Sequence, residues 1–316
     1  MPKALITDYV HDSLIIGLER MGYEVTYQKN IPLEETKRLI HHYEGVVVNS
    51  KTIMNKEMID RAPSLQWIAR LGSGLDIIDL PYAKSKGIHV YNSPEGNRNA
   101  VAEHTLGMLL CLTNQLRLAD REVRNFDWNR ELRRGTELMG KTIGVIGMGN
   151  TGSALANKLR SFGMEVLAYD KYKRIFDPAY AHVRWVSQEE LCAQADIISI
   201  HVQLTSETQY LVGDSFLEKC KDGVILINTS RGKVVNIASV LTYLQSGKIG
   251  GLGLDVFPNE KTATYNEDEK EMYGQLYEYP NTLLTPHIAG WTKESLKRIS
   301  DVLLIKIGAN EEGRAT

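Results

Sequence analysis

The sequence predicts an α/β protein of two parallel-sheet domains, the second inserted into the first. Three observations carry this. Apolar strand-like runs alternate with helix-like segments along most of the chain. A long apolar helical segment interrupts the alternation near residue 100. A last amphipathic segment follows the final strand with no neighbour of its own to pack on. Such alternation implies βαβ units and parallel sheets. At ~100–200 residues per domain, 316 residues suit two domains.

The first stretch reads in order. "KALITDYV" (3–10) is a strand and "DSLIIGLERMG" (12–22) a helix ending at Gly22. "EVTYQKN" is a strand, "LEETKRLIHHY" a helix and "GVVVNS" a short apolar strand. "NKEMIDRAP" is a helix stopped by Pro63, and "LQWIARL" is a strand. After "YNSPEGN", the segment "AVAEHTLGMLLCLTNQLRLADREV" (100–123) has the length and apolar density of one long helix. A polar stretch runs from Arg124 to Gly140. Strands then resume with "KTIGVIG", "EVLAYD", "DIISIHV", "VILINTS", "GGLGLDVF" and "NTLLTPH". Ser187 followed by Glu190 marks a helix start. The acidic, Tyr-containing stretch 265–279 is expected to be a surface insertion.

The last amphipathic segment, "KESLKRISDVLLIKIG", cannot bury its apolar face alone and is expected to return to the first domain, followed by a frayed polar tail. The expected domains are therefore 1–98 with 287–316, and 99–286, the latter carrying an arm at about 100–140.

The totals exclude several classes. Net charge is −2 and no Lys/Arg run exceeds a pair, so neither a nucleic-acid nor an anionic-membrane partner is expected. The N-terminus lacks the pattern of a signal peptide, and no apolar run nears the ~18–20 residues of a membrane span. The three cysteines, Cys111, Cys192 and Cys220, lie far apart in sequence and show no metal-ligand spacing. They point to reduced thiols and a cytoplasmic protein. His41 and His42 are expected on a solvated helix face.

"KTIGVIGMGNTGSALANKLRSFGMEVLAYD" (141–170) holds Gly147, Gly149 and Gly152 in G-x-G-x-x-G spacing, between an apolar strand and a helix pattern. The first glycine allows the tight turn, the second lets the backbone approach a pyrophosphate, and the third lets helix and strand pack closely. Asn150 and Thr151 open the helix, whose free N–H groups face the phosphates. Asp170 ends the next strand, where it can bind a ribose diol and repel a 2′-phosphate. The inserted domain is thus expected to be a Rossmann-type NAD-binding domain, with Lys171 and Lys173 as the neighbours that bear on NAD against NADP.

Ligands of such sheets sit beyond the carboxyl ends of the strands. Those ends carry Arg231, Asp255 with Glu260 behind it, and His287. A cation, two acids and a histidine on the nicotinamide side form a chemical constellation.

Here the chain resembles the NAD-dependent D-2-hydroxyacid dehydrogenases. The resemblance rests on "RLGSGLDIID", "GNRNAVAEHTLGMLL", "GVIGMGNTG", "NTSRGKVVN", "GLGLDVFPNE" and "TPHIAGWT", in that order and over nearly the whole chain. Within the family, the chain looks most like phosphoglycerate, glycerate and hydroxypyruvate dehydrogenases. The resemblance implies a Rossmann-type domain inserted into a flavodoxin-like substrate domain. It implies His287 as general acid/base, a task suited to a ring with an ordinary pKa of about 6.5. Glu260 would hold the other ring nitrogen and favour the charged ring. Arg231 would grip the substrate carboxylate with its planar fork. Gly72, Ser73 and Gly74 would offer N–H groups to the same carboxylate, and Asn97 would lie in the hinge beside the substrate. Asp255 would contact the nicotinamide amide, and Thr205 and Gly290 would line the cofactor site. His201, in "ISIHVQLT", is expected to be a packed neighbour and not a reacting group. The segment 103–135 resembles the family's dimer arm, and its apolar density points to a homodimer.

The chain departs from the family at Gln203 and Lys261, where prolines are usual, and at Asn236, where an acid is common. Asn49 stands where phosphoglycerate dehydrogenases carry a phosphate-binding arginine, so Lys51 or Arg98 would have to meet any phosphate. The chain ends soon after its last helical segment, so no regulatory C-terminal domain is expected. The rival reading is an NAD-sensing, corepressor-like binding protein on the same scaffold, since fold alone does not fix function. A formate dehydrogenase, which would not use a Glu–His pair for proton transfer, is the weaker third.

Overall fold

A computed structural model describes residues 1–174 and 177–312. The chain divides into one compact unit of Met1–Arg98 with Gly290 onward and another of Asn99–Ala289.

In the first unit, β1 (Lys3–Ile6), β2 (Glu24–Tyr27), β3 (Gly45–Val48), β4 (Trp67–Arg70) and β5 (His89–Asn92) pair in the order β2-β1-β3-β4-β5. Every pairing is parallel. This is the flavodoxin-like order of a doubly wound sheet. Side chains alternate between its faces. Leu5, Val46, Val48 and Ile68 pack on one side with Met58 and Ile59. Ala4, Ile6, Val47 and Trp67 pack on the other with Leu14, Leu18 and residues Ile299, Leu303 and Ile307 of the C-terminal helix. That helix runs Lys293–Glu312, so the tail expected to fray after Gly308 continues as helix. The expected tail beyond it, 313–316, lies outside the described residues.

In the second unit, β6 (Thr142–Ile146), β7 (Glu165–Tyr169), β8 (Val183–Trp185), β9 (Ile197–Ile200), β10 (Val224–Asn228), β11 (Ile249–Leu254) and β12 (Thr282–Leu284) pair as β12-β11-β10-β9-β6-β7-β8. All are parallel. The order reverses between β6 and β9, which is the switch point where a Rossmann-type sheet opens its crevice. Ser187 caps the helix Gln188–Gln194 by accepting the Glu190 N–H, as its spacing predicts. Cys192 and Cys220 are free, buried thiols, and Cys220 Sγ donates to the Phe216 carbonyl at 3.4 Å.

The structure departs from the sequence reading in three places. The long helix expected over 100–123 begins at Pro94, stops at Thr113 and resumes as Leu116–Arg124. Gln115 sits between them at φ 53°. Its amide donates to the Arg134 carbonyl at 3.1 Å and accepts from Arg133 at 2.8 Å, so polar anchors hold the break. The stretch 265–279, expected as a surface insertion, is mostly exposed but ordered. It forms the helix Glu267–Glu278, started by an Asn266–Glu269 capping box. Tyr273 and Leu276, three apart on one face, are buried in the core beside Leu252 and Leu254. Lastly, β5 and β8 were not expected. Both are short and polar, with only Val183 buried among their residues. Among the described residues no helix is long and apolar enough to cross a membrane.

Candidate active site

Four neighbouring strands of the larger sheet deliver polar residues at their carboxyl ends. His201 follows β9, Arg231 follows β10, Asp255 follows β11 and His287 follows β12. The glycine turn follows β6 at the switch point. Parallel pairing aligns these ends along one edge.

The turn carrying His287 is built by Asp255. Asp255 is fully buried. Its Oδ1 accepts the Thr285 hydroxyl at 2.6 Å and the Ile288 N–H at 2.8 Å. Its Oδ2 accepts the Ala289 N–H at 2.9 Å, and its carbonyl accepts the His287 N–H at 2.7 Å. These bonds hold His287 at φ 55°, a left-handed conformation uncommon outside glycine. His104, which the sequence reading did not single out, closes the cluster. Its Nε2 lies 3.1 Å from Thr285 Oγ1 and 3.6 Å from Asp255 Oδ1. So Asp255, expected to meet a nicotinamide amide, has both oxygens engaged by the turn.

The backbone turn aims the imidazole at Glu260. His287 Nδ1 lies 2.8 Å from Glu260 Oε2, and Glu260 Oε1 accepts the Phe257 N–H at 3.4 Å. Partial burial resists ionisation of Glu260. The His287 hydrogen bond and charge, the Phe257 N–H and the Arg231 guanidinium outweigh it and hold the carboxyl below its usual value. Both side chains remain nearly half exposed, so the ring's Nε2 edge can reach a reactant.

Arg231 is placed by Asn228, another residue the sequence reading passed over. Asn228 ends β10 fully buried. Its amide donates to the Arg231 carbonyl at 2.9 Å, and its Oδ1 accepts the Ser230 N–H at 2.9 Å and the Ser230 hydroxyl at 2.7 Å. Arg231 Nη1 donates to the Ser230 carbonyl at 2.7 Å. Gly232 brings this loop against the one bearing Glu260. A Cβ there would fall 1.9 Å from the Phe257 carbonyl carbon, so no other residue fits without moving it.

The nucleotide end fits an anionic dinucleotide. The helix Asn150–Leu159 has Gly149 as its cap and no side chain capping it, which leaves Asn150, Thr151 and Gly152 to present N–H groups. A Cβ on Gly149 would meet nothing within 4 Å, so there is room beside the turn. One on Gly152 would fall 2.0 Å from the Gly147 carbonyl oxygen. Asp170 Oδ2 accepts the Met148 N–H at 2.8 Å, and its Oδ1 accepts the Tyr172 and Lys173 N–H groups, each at 3.0 Å. The Lys171 ammonium lies 2.8 Å from Glu207, which offsets that cation beside the acid. Thr205 is exposed after β9, its N–H bonded to Thr208 Oγ1 at 2.8 Å.

His201 is buried, with Nε2 2.8 Å from Ser199 Oγ and no partner for Nδ1 among the described residues. Burial pushes its pKa down to about 4. Unfolding restores a pKa near ~6.5, so between these values the unfolded chain binds more protons. Stability is therefore full above that range and falls as pH drops toward 4. The expected loss is about 3 kcal/mol, from about 1.36 kcal/mol per unit of pKa. Urea unfolding at pH 7 and at pH 4 measures it: the pH dependence should shrink by that amount in His201→Gln. An equal dependence in both proteins would mean that His201 does not titrate in this way.

The remaining candidates lie in the smaller unit. Ser73 donates its hydroxyl to Asn97 Oδ1 at 2.8 Å, and its carbonyl accepts the Asn92 amide at 2.7 Å. Gly74 follows in a half-buried loop. Asn97 also abuts Gly290, where a Cβ would come within 2.9 Å of its amide nitrogen. Arg98 is exposed. Lys51 pairs with Asp8 at 3.6 Å and donates to the Lys29 carbonyl. A cavity of about 680 Å³ in the larger unit lies elsewhere. It is lined by Lys141, Asp196, Gly223, Gly250 and Asn281, at the amino-terminal edge of the sheet, away from this chemistry.

Residues 106–289 match the family model "D-isomer specific 2-hydroxyacid dehydrogenase, NAD binding domain". The D-3-phosphoglycerate dehydrogenase of Archaeoglobus fulgidus is 35% identical over 301 residues, covering 95% of this chain and 56% of the relative. The chain thus spans little more than half the length of the curated relatives it matches. Among solved structures, the TT0316 protein of Thermus thermophilus superposes with a TM-score of 0.86 at 30% identity, covering 98% of this chain and 97% of that one. The D-lactate dehydrogenase of Aquifex aeolicus, solved with NAD and lactic acid, gives 0.83 at 33% identity, covering 98% and 96%.

Proposed function

Because the chain belongs to the D-isomer-specific 2-hydroxyacid dehydrogenase family, we propose that it interconverts a small 2-keto acid and its D-2-hydroxy acid with NAD as coenzyme. The observation that carries this reading is the 2.8 Å contact of His287 with Glu260, on a loop that Gly232 packs against that of Arg231. When bound, the nicotinamide supplies a hydride to C2 or takes one from it.

The chain's own residues do the rest. Glu260 accepts a hydrogen bond from the Nδ1–H of His287, which leaves Nε2 for the substrate oxygen. In reduction Nε2–H gives its proton to the carbonyl oxygen as C2 gains hydride. In oxidation Nε2 takes the hydroxyl proton as hydride leaves C2. Arg231 holds the carboxylate with two parallel N–H bonds and draws electron density from the carbonyl. Gly147, Gly149, Asn150, Thr151 and Gly152 hold the pyrophosphate, and Asp170 takes the ribose hydroxyls and disfavours a 2′-phosphate. Thr205 and Gly290 border the coenzyme. In the smaller unit, Ser73, Gly74 and Asn97 are the substrate-binding residues.

The engagement of Lys51 by Asp8 supports an unphosphorylated acid as the better substrate, with exposed Arg98 the remaining cation for a phosphate. Phe126, 98% exposed, and Trp128, 77% exposed, support a homodimer in which a second copy covers the segment after residue 116. The free thiols support a reducing compartment, the cytoplasm.

The test is NADH oxidation by the purified protein with hydroxypyruvate, glyoxylate, pyruvate and 3-phosphohydroxypyruvate. Turnover of one of the first three above the phosphorylated acid is expected. NADH binding with no turnover of any would instead favour an NAD-sensing binding protein.

A further inference from the structure

The loop that presents Glu260 is tied on both sides. The peptide before Glu260 is held by the Tyr265 hydroxyl, which donates to the Asn259 carbonyl at 3.1 Å. The peptide after it is held by Asn259 Oδ1, which accepts the Lys261 N–H at 3.1 Å. The Asn259 amide nitrogen donates onward to Glu269 Oε1 at 3.0 Å and to Thr264 Oγ1 at 3.2 Å. Glu269 is a member of the helix Glu267–Glu278, and its second oxygen accepts the Asn266 N–H at 3.1 Å in the capping box.

That helix is itself anchored. Tyr273 is buried, its ring 4.8 Å from Tyr265 and 5.8 Å from Phe257. Burial and the neighbouring Tyr277 push the Tyr265 hydroxyl up to about 12, so it stays a donor through the neutral range. Lys261 stands where proline would have no N–H to give, and here that N–H is used.

We propose that Asn259, Tyr265 and Glu269 are positioning residues, which make the helix Glu267–Glu278 a brace that sets the reach of Glu260 toward His287. This rests on the acid/base reading above. An exposed glutamate side chain has several rotamers and gains little from holding one. Fixing the peptides on either side of Glu260 removes the backbone share of that freedom, leaving only side-chain rotation between Glu260 and the imidazole. Lost alignment at this distance is expected to cost turnover and leave coenzyme affinity alone.

Two readouts test the brace. The first is steady-state reduction with NADH and the fastest acid among hydroxypyruvate, glyoxylate and pyruvate. The second needs no substrate: long-range proton–nitrogen NMR of the His287 ring, assigned by its absence in His287→Gln, reports which ring nitrogen carries the proton. Glu269→Ala is expected to lower kcat about tenfold, with KM for NADH within about twofold. It should also move the ring proton from Nδ1 toward Nε2. Glu269→Gln, which keeps an oxygen for the Asn259 amide, should restore most of both. Should Glu269→Ala fail to fold, Tyr265→Phe removes one hydroxyl, keeps the ring against Tyr273 and is expected to act in the same direction. In a Glu260→Ala background neither change should have further effect. Unchanged kcat and ring tautomer in Glu269→Ala and Tyr265→Phe, while Glu260→Ala changes both, would overturn the brace alone. Undiminished turnover in Glu260→Ala would overturn the acid/base reading and the brace with it.

Discussion

Replacing His287 with glutamine is expected to leave NADH binding intact and to lower turnover about a thousandfold, within the range of positioned proton transfer. Glutamine keeps the size and a hydrogen bond to Glu260 but cannot exchange a proton with the substrate oxygen. The left-handed backbone at His287 is held by Asp255 through main-chain and Thr285 contacts, none of which involves the imidazole. The turn should therefore survive the substitution, and the loss should be chemical. Fluorescence titration with NADH and steady-state kinetics on the same preparation separate the two. Turnover within a few-fold of the parent would assign the proton to another group.

Arg231→Gln is the second large effect. Two charge-assisted hydrogen bonds to a carboxylate are worth on the order of 4 kcal/mol, so kcat/KM for the 2-keto acid should fall about a thousandfold. Arg231→Lys should fall between, since an ammonium keeps the charge and loses the fork. KM for NADH should hardly move in either. In Arg231→Gln, Glu260 also loses a cation that helps hold its carboxyl down, so its titration should move up toward the ordinary value. Equal losses in NADH and keto-acid affinity would mean that Arg231 supports the fold and does not grip the substrate.

The parts of this site legible in the sequence share one property: they follow from local pattern. The glycine turn announces itself because strand, turn and helix are contiguous from Thr142 to Leu159. Arg231, Glu260 and His287 stand out because apolar runs mark where strands end. What holds those residues is not legible in the same way. Asp255 grips a turn more than 30 residues away, and His104 reaches Thr285 across 181 residues. In the sequence Asn228 is only the polar end of an apolar run. Its burial and its three hydrogen bonds into the Arg231 loop emerge only once the strands on either side cover it.

The misread elements have similar causes. Composition favours a continuous helix over 100–123, yet Gln115 is turned left-handed by Arg133 and Arg134, residues beyond that window. The stretch 265–279 looks solvated because acids dominate it. Its helical signal lies in the Asn266–Glu269 capping box and in the spacing of Tyr273 and Leu276. Strands β5 and β8 are a few residues long, below the length at which alternation can be told from loop.

The most direct measurement of the central claim is the fate of the hydride. The protein is given NADH carrying deuterium at C4, in each of its two stereochemical forms, with the most rapidly reduced 2-keto acid, and the product is read by mass spectrometry and NMR. Direct transfer predicts that one of the two forms places a single deuterium at C2 of a D-2-hydroxy acid, with none arriving from deuterated solvent. Label found in water, or no reduced acid from either form while NADH remains bound, would contradict it.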